Sequence, residues 1–226
     1  EYLGTRYAGF QKQPNLPTIQ GELEKVLQIL LKEEVRITAA GRTDAGVHAS
    51  CQVINFKTSS TLDLRRLKWS ANALLPPDVI IKRTEEIDSS FNARRNAVSR
   101  EYRYCILNRN HNSVFQRDLA HFISSPLNLV ALQRAAALLH GRHNFSAFCQ
   151  ADGREVNDYV RTVSDLSCGR KGDLIIIKIR ADSFLPHMVR TVVGTLIQIG
   201  LGKLRPEEAG EILKSRDRTR AGPTAP

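Results

Sequence analysis

An α+β fold, with helices on one face of an extended, largely antiparallel sheet, is predicted by three observations. Helical and strand periodicities alternate through two similar halves of the chain, roughly 1–107 and 108–226. The strand-like runs at 161–168 and 173–181, joined across Gly169 and Gly172, read as an antiparallel hairpin, which argues against a purely parallel sheet. The composition is ordinary for a globular protein, 42% hydrophobic and 25% charged. At 226 residues the chain is long enough for one large domain or two small ones and needs no metal or disulfide staples.

In the first half, Ile19, Leu23, Val26, Leu27 and Leu30 repeat at helical spacing and predict a helix over 18–31, with Thr18 as its N-cap and Pro14 and Pro17 breaking the chain before it. Strands are expected at 35–39, 51–57, 79–83 and 99–107. A second helix is expected over 62–74, with Leu64, Leu67, Ala71 and Leu74 on one stripe and Pro76 and Pro77 stopping it. In 99–107, alternation puts Tyr102, Tyr104 and Ile106 on one face and Arg103, Cys105 and Leu107 on the other. The second half predicts a Leu- and Ala-rich helix over 127–139 ending near Gly141, the hairpin, a helix from Pro186 to about Ile199 with Met188 in the core, and a short helix over 206–214.

Charge narrows the partners. Thirty-three Lys and Arg oppose twenty-three Asp and Glu, a formal net charge of +10. Such a surplus favours a polyanion or an anionic surface, though a soluble basic protein with no such partner has the same balance. The uncovered sheet face is the natural wall of a basic groove for nucleic acid. Cys51, Cys105, Cys149 and Cys168 have neither zinc-knuckle nor disulfide-framework spacing, and read as reduced, mostly buried thiols of a cytosolic-type compartment. No run approaches the ~18 apolar residues of a membrane span. The opening EYLGTRYAGF does not read as a signal peptide and is expected to continue from a preceding strand.

The segment with the most chemistry is GRTDAGVH at 41–48, where Gly41 and Gly46 bracket Arg42 and Asp44. By itself it fits a surface Asx-turn as well as a site. It is followed by QVINF at 52–56, NALLPPD at 72–78, FNAR at 91–94, SREYRY at 99–104, GRHNFSAF at 141–148, FLPHMVRTVVG at 184–194 and RDRTRAGPTAP at 216–226. This ordered series resembles the bacterial tRNA pseudouridine synthase A family over essentially all 226 residues.

The resemblance implies the pseudouridine synthase fold, two similar halves around a central basic cleft. It implies an isomerase that converts uridine to pseudouridine in the anticodon stem-loop of tRNA, with no metal and no organic cofactor, as a cytoplasmic homodimer. Asp44 corresponds to the catalytic aspartate. A carboxylate there can act as nucleophile at C1′ or as base at C2′, and the sequence leaves both routes open. Arg190 is the candidate basic partner that keeps Asp44 ionised. Tyr102 matches the aromatic that packs on the target uracil, and Tyr104 is assigned to packing. Arg42 is associated with extruding the nucleotide, and His187 with shaping the cleft; His48 carries no assigned role. Arg94, Arg95, Arg100, Arg142 and His143 are expected RNA contacts, with Arg6, Lys12 and Arg103 further candidates. Two departures stand out. Leu3 occupies the place of an aspartate in the family's Tyr-Asp-Gly segment, and the family continues past a TAP like Pro226's with a Gly-Leu segment and a final strand. The alternatives are a non-catalytic RNA-binding module and a metal-dependent nuclease, the latter disfavoured because Asp44 has no carboxylate cluster around it in sequence.

Overall fold

A computed structural model describes residues 1–150 and 156–226. They form two compact units, Glu1–Ala97 and Val98–Pro226, each with its own apolar core. No helix among the described residues is long and apolar enough to cross a membrane.

The first unit contains helix α1 (Ile19–Leu31), strands β1 (Thr38–Ala39) and β2 (Ile54–Asn55), and helix α2 (Leu64–Leu74). Helix α1 begins where Thr18 accepts a hydrogen bond from Gly21 N at 3.2 Å, and it buries Ile19, Leu23, Val26, Leu27 and Leu31. Asp63 caps α2 in the same way, through Arg66 N at 2.9 Å. The stripe of α2 differs from expectation. Leu67, Ala71 and the following Leu75 are buried, whereas Leu74 is 51% exposed.

The expected strands 35–39 and 51–57 shrink to a two-residue antiparallel ladder, Thr38↔Asn55 and Ala39↔Ile54. Side chains take the neighbouring backbone groups instead. Glu24 Oε1 accepts from Ile37 N at 3.1 Å, and the Gln52 amide occupies both backbone groups of Gly41. The expected strand 79–83 is absent for the same reason: the Asn72 amide bonds both Ile81 N and Ile81 O, leaving only a bridge between Val79 and Tyr2.

The second unit holds strands β3 (Arg100–Asn108) and β4 (His121–Ile123), helix α3 (Leu129–Ala137), strands β5 (Gly141–Asn144), β6 (Val160–Lys171) and β7 (Leu174–Ala181), and helices α4 (Met188–Gly200) and α5 (Glu208–Ser215). The sheet order is β4-β3-β7-β6-β5, antiparallel throughout except for the parallel β3–β4 pair. Strand β3 pairs with β7, so it belongs to this unit. The division therefore lies between Ala97 and Val98, not after 107. The β6–β7 turn is made by Gly172, at φ +58°, and Asp173, while Gly169 lies inside β6 opposite Ile176. Gly141 opens β5.

Alternation along β7 puts Ile175, Ile177, Ile179 and Ala181 into a core shared with Leu132 and Ala135 of α3 and Val192, Val193 and Leu196 of α4. The register pairs Tyr102 with Ile179, Tyr104 with Ile177 and Ile106 with Ile175, so these three residues share the helix-covered face. The opposite face carries a compensated ion network. Glu101 is held at about 2, well below the usual carboxylate range, by hydrogen bonds from Arg180, then Lys178 and Arg103, and Lys178 also reaches Asp165 at 3.2 Å. Cys149 and Cys168 are buried and Cys105 partly so, but Cys51 is exposed, contrary to expectation. Burial pushes the Cys168 thiol up to about 12, so it remains protonated and inert.

Candidate active site

The Gly41–His48 segment runs from β1 towards β2 and lies against the N-terminal segment, backbone on backbone. Phe10 N donates to Thr43 O at 3.0 Å, and Gly46 N donates to Tyr7 O at 3.3 Å. A β-turn closed by Val47 N to Asp44 O at 3.2 Å places Gly46, at φ +77°, in its third position, where a side chain would be strained. The approach is close enough to require glycine on the other side as well. A Cβ on Gly4 would lie 2.1 Å from Val47 O, and one on Gly9, itself at φ +100°, would lie 2.8 Å from Thr43 O.

Side chains complete the clamp. Tyr2 OH bonds Thr43 Oγ1 at 2.8 Å, and Gln52 Nε2 donates to Tyr2 OH at 3.4 Å and to Gly41 O at 2.8 Å. Burial raises the Tyr2 phenol above its ordinary value, so it stays a neutral hydroxyl. His48 Nδ1 accepts from Gly4 N at 2.9 Å, which requires that nitrogen to be unprotonated. Asp44 is thus half-buried on a fixed turn, and Arg42 beside it is exposed. Tyr2, Gly4, Gly9 and Gln52 were not singled out in the sequence as support for this loop. Only the two glycines so near the start hinted at a close backbone approach.

In the second unit, Tyr102 is half-buried on β3 with its ring edge-on to Phe184, centroids 5.2 Å apart at 83°. His187 adopts a left-handed conformation, φ +55°, immediately before α4. Arg190, one turn further on, donates from Nε to Ala225 O at 2.7 Å, and its Nη1 lies 3.2 Å from His187 Nδ1. The 221–226 tail that supplies this carbonyl is itself seated on α4. Gly222 N donates to Thr195 Oγ1 at 2.9 Å, Ala225 N donates to Arg190 O at 3.0 Å, and a Cβ on Gly194 would lie 1.7 Å from Pro223 O. Tyr104, on the same strand face as Tyr102, is pushed up to about 12 by burial, against the opposing charge of Arg190, and donates to Pro226 O at 3.2 Å.

A carboxylate on a glycine-bracketed turn, and an arginine with a histidine and aromatic rings at a helix start, are therefore each built with care, in separate units. Comparison with known proteins decides what they belong to. A family model described as tRNA pseudouridine synthase matches residues 1–94 and 135–226. The chain belongs to the tRNA pseudouridine synthase family. It is 45% identical to tRNA pseudouridine synthase A of Halalkalibacterium halodurans over 226 residues, all of this chain and 86% of that protein. It is 44% identical to the protein of that name from Thermoanaerobacter sp. over 226 residues, all of this chain and 92% of that protein. The Bacillus subtilis protein of the same name is 42% identical over 227 aligned residues, with 92% of it covered.

Within this family member the basic residues separate into two kinds. Arg94, Arg95 and Arg142 are exposed, Arg142 on the edge strand β5, and Arg94 and Arg95 follow a turn whose backbone is capped by Asn92 Oδ1 at 3.1 Å from each N–H. Arg100 is half-buried and donates to Asp182 O at 2.7 Å. His143 is held to His140 O at 2.8 Å and packs edge-on to Phe145. Arg6, Lys12 and Arg103 are ion-paired with Asp78, Glu24 and Glu101, so their charge is partly answered within the protein. Among the described residues there is no group of three or more His, Cys, Asp or Glu side chains arranged to hold a metal ion.

Proposed function

We propose that this protein isomerises uridine to pseudouridine in the anticodon stem-loop of tRNA, with Asp44 as the reacting carboxylate. The observation that carries the reading is the clamped turn: two backbone hydrogen bonds and the Tyr2–Thr43 contact fix the backbone around Asp44, in a chain whose relatives are named tRNA pseudouridine synthase A. Fixing a reacting group before substrate arrives lowers the entropic and reorganisation cost of the chemical step.

The reaction balances within the nucleotide. The N1–C1′ bond breaks, the uracil turns, a C5–C1′ bond forms, the proton on C5 leaves and N1 gains one. Asp44 either forms a transient bond at C1′ or removes a proton at C2′. Both routes require the ionised carboxylate, and Arg190, in the role of its basic partner, would favour that form and fix its direction. The target base must leave the stack; Arg42 would occupy the vacated space, Tyr102 would pack on the uracil, and His187 would shape the cleft through its contact with Arg190. Arg94, Arg95, Arg100, Arg142 and His143 would meet the phosphates. The working form would be a cytoplasmic homodimer, in keeping with the family resemblance.

Asp44→Asn tests the assignment. It should bind tRNA as the unaltered protein does and yield no pseudouridine, measured by tritium release from C5-labelled uridine. Turnover near that of the unaltered protein would remove Asp44 from the chemistry. Arg190→Ala should lower kcat by about a hundredfold or more while leaving the tRNA Kd within a few-fold. Arg190→Lys should recover only part, since a point charge lacks the planar fork.

A further inference from the structure

The first unit contains a cavity of about 610 Å³, and none of its lining residues belongs to the Gly41–His48 loop. The size lies within the ~300–1,000 Å³ typical of ligand sites. Its wall carries three cations, Arg36, Lys57 and Arg95, and one carboxylate, Glu34. Glu34 is answered by Arg36 at 3.1 Å. Lys57 and Arg95 are exposed and make no ion pair among the described residues, so the wall has an uncompensated positive charge.

The remaining polar groups are biased towards donation. Asn92 Oδ1 is used by the N–H groups of Arg94 and Arg95, and Asn96 Oδ1 by Asn92 N at 2.7 Å, which leaves the side-chain NH₂ groups of both residues to donate. Half-buried Phe91 and Phe56 add aromatic surface. The wall is pre-formed: Asn55 on β2 donates to Phe91 O at 3.3 Å and accepts from Ala93 N at 2.9 Å, pinning the 91–96 turn to the sheet. Cations, amide donors and an aromatic face together suit a ligand with anionic oxygens, carbonyl acceptors and a planar ring.

We propose that this cavity is an accessory tRNA subsite for one unpaired nucleotide, its phosphate on Lys57 and Arg95 and its base against Phe91. This rests on the tRNA reading above. Thr38, which lines the cavity, and Asp44 lie six positions apart in the chain, at most ~20 Å when fully extended. The subsite therefore holds a different nucleotide of the same RNA that presents its uridine to Asp44. It acts by fixing the register of the strand, since base stacking is tolerant of sequence and phosphate contact sets position.

The experiment measures tRNA affinity from low to moderate salt in the Asp44→Asn background, where no turnover intervenes. Lys57→Ala with Arg95→Ala should lower affinity about tenfold at low salt and reduce the slope of log K against log salt by roughly 1.4–1.8. Phe91→Leu should weaken binding roughly fivefold or more and leave the slope unchanged, as loss of stacking does. In the otherwise unaltered enzyme these changes should raise KM by similar factors with kcat within twofold. Lys57 is exposed, so its variant folds, and melting curves check the Phe91 variant. Intact tRNA binding with unchanged affinity and slope in the charge variants overturns the subsite alone. A silent Phe91→Leu with an effective charge pair replaces the nucleotide by a bare phosphate contact and overturns the proposal as stated. Failure of Asp44→Asn and the unaltered protein alike to bind tRNA overturns both this inference and the functional reading beneath it.

Discussion

In the first unit, Gly4 and Gly9 let the N-terminal segment press its backbone against the Gly41–His48 loop; in the second, Gly194 and Gly222 let the 221–226 tail press its backbone against α4. What each approach fixes is different. Asp44 sits within a hydrogen-bonded turn and has a short side chain, so the backbone sets where its side chain starts. Arg190 sits on a regular helix, and its guanidinium is placed by what the side chain touches: Ala225 O through Nε and His187 through Nη1. A long arginine side chain loses up to ~2 kcal/mol of rotamer entropy when ordered, and the charge-assisted bond to Ala225 O is what offsets that loss. The Asp44 turn is therefore sensitive to backbone strain, while the guanidinium is sensitive to anything that lifts the tail.

The strongest way to break this comparison is Gly194→Ala. Its Cβ would lie 1.7 Å from a backbone oxygen, Pro223 O, so the tail must move. Alanine favours a helix interior by about 1 kcal/mol, but overpacking against backbone costs about 1–3 kcal/mol or more. A lowered melting temperature is expected. The kcat loss should approach that of Arg190→Ala, because Ala225 O leaves Nε. Undisturbed kcat would show that the tail does not aim Arg190. Gly9→Ala is next. At φ +100° it adds strain of about 1–3 kcal/mol, and its Cβ meets Thr43 O at 2.8 Å. The loop should shift as a body, lowering kcat about tenfold with tRNA Kd preserved. Equal losses in kcat and affinity would mean that the loop serves binding rather than the carboxylate.

These supports were largely illegible in the sequence, and the reason is range. The helices were read closely because their signals are local: Thr18 three residues before Gly21, and apolar residues every three or four positions along α1 and α4. The shared face of Tyr102, Tyr104 and Ile106 followed from strand alternation and is what the register shows. The short strands were overestimated because Glu24, Gln52 and Asn72 take backbone groups that periodicity alone would assign to a ladder. Strand β4, three residues paired parallel to β3, is too short to show a period at all. The GRTDAGVH loop was legible as a signature, but its clamp joins Tyr2 to Thr43 and Gly4 to His48 across separations of 41 and 44 residues, and Arg190 meets Ala225 across 35. No local pattern encodes such pairings.

The smallest expected effect sharpens the comparison most. Tyr2→Phe keeps the ring in the core beside Phe10, centroids 6.2 Å apart, and removes only the hydroxyl that meets Thr43 Oγ1 at 2.8 Å and Gln52 Nε2 at 3.4 Å. Thr43 loses one partner, while the backbone bonds from Phe10 N and Gly46 N, and the grip of Gln52 on Gly41, remain. Losing a hydrogen bond of this kind costs about 1 kcal/mol. If backbone contacts place Asp44, that cost should appear mainly as a lower melting temperature, with kcat reduced no more than about threefold, and tRNA Kd unchanged. Because burial keeps the phenol neutral, its charge state does not change near neutral pH, and no new dependence of rate on pH is expected there. A tenfold or larger fall in kcat, with stability intact, would show that the Tyr2 side chain places the carboxylate after all. The two segments would then be held by the same kind of contact, and the distinction drawn between them would fail.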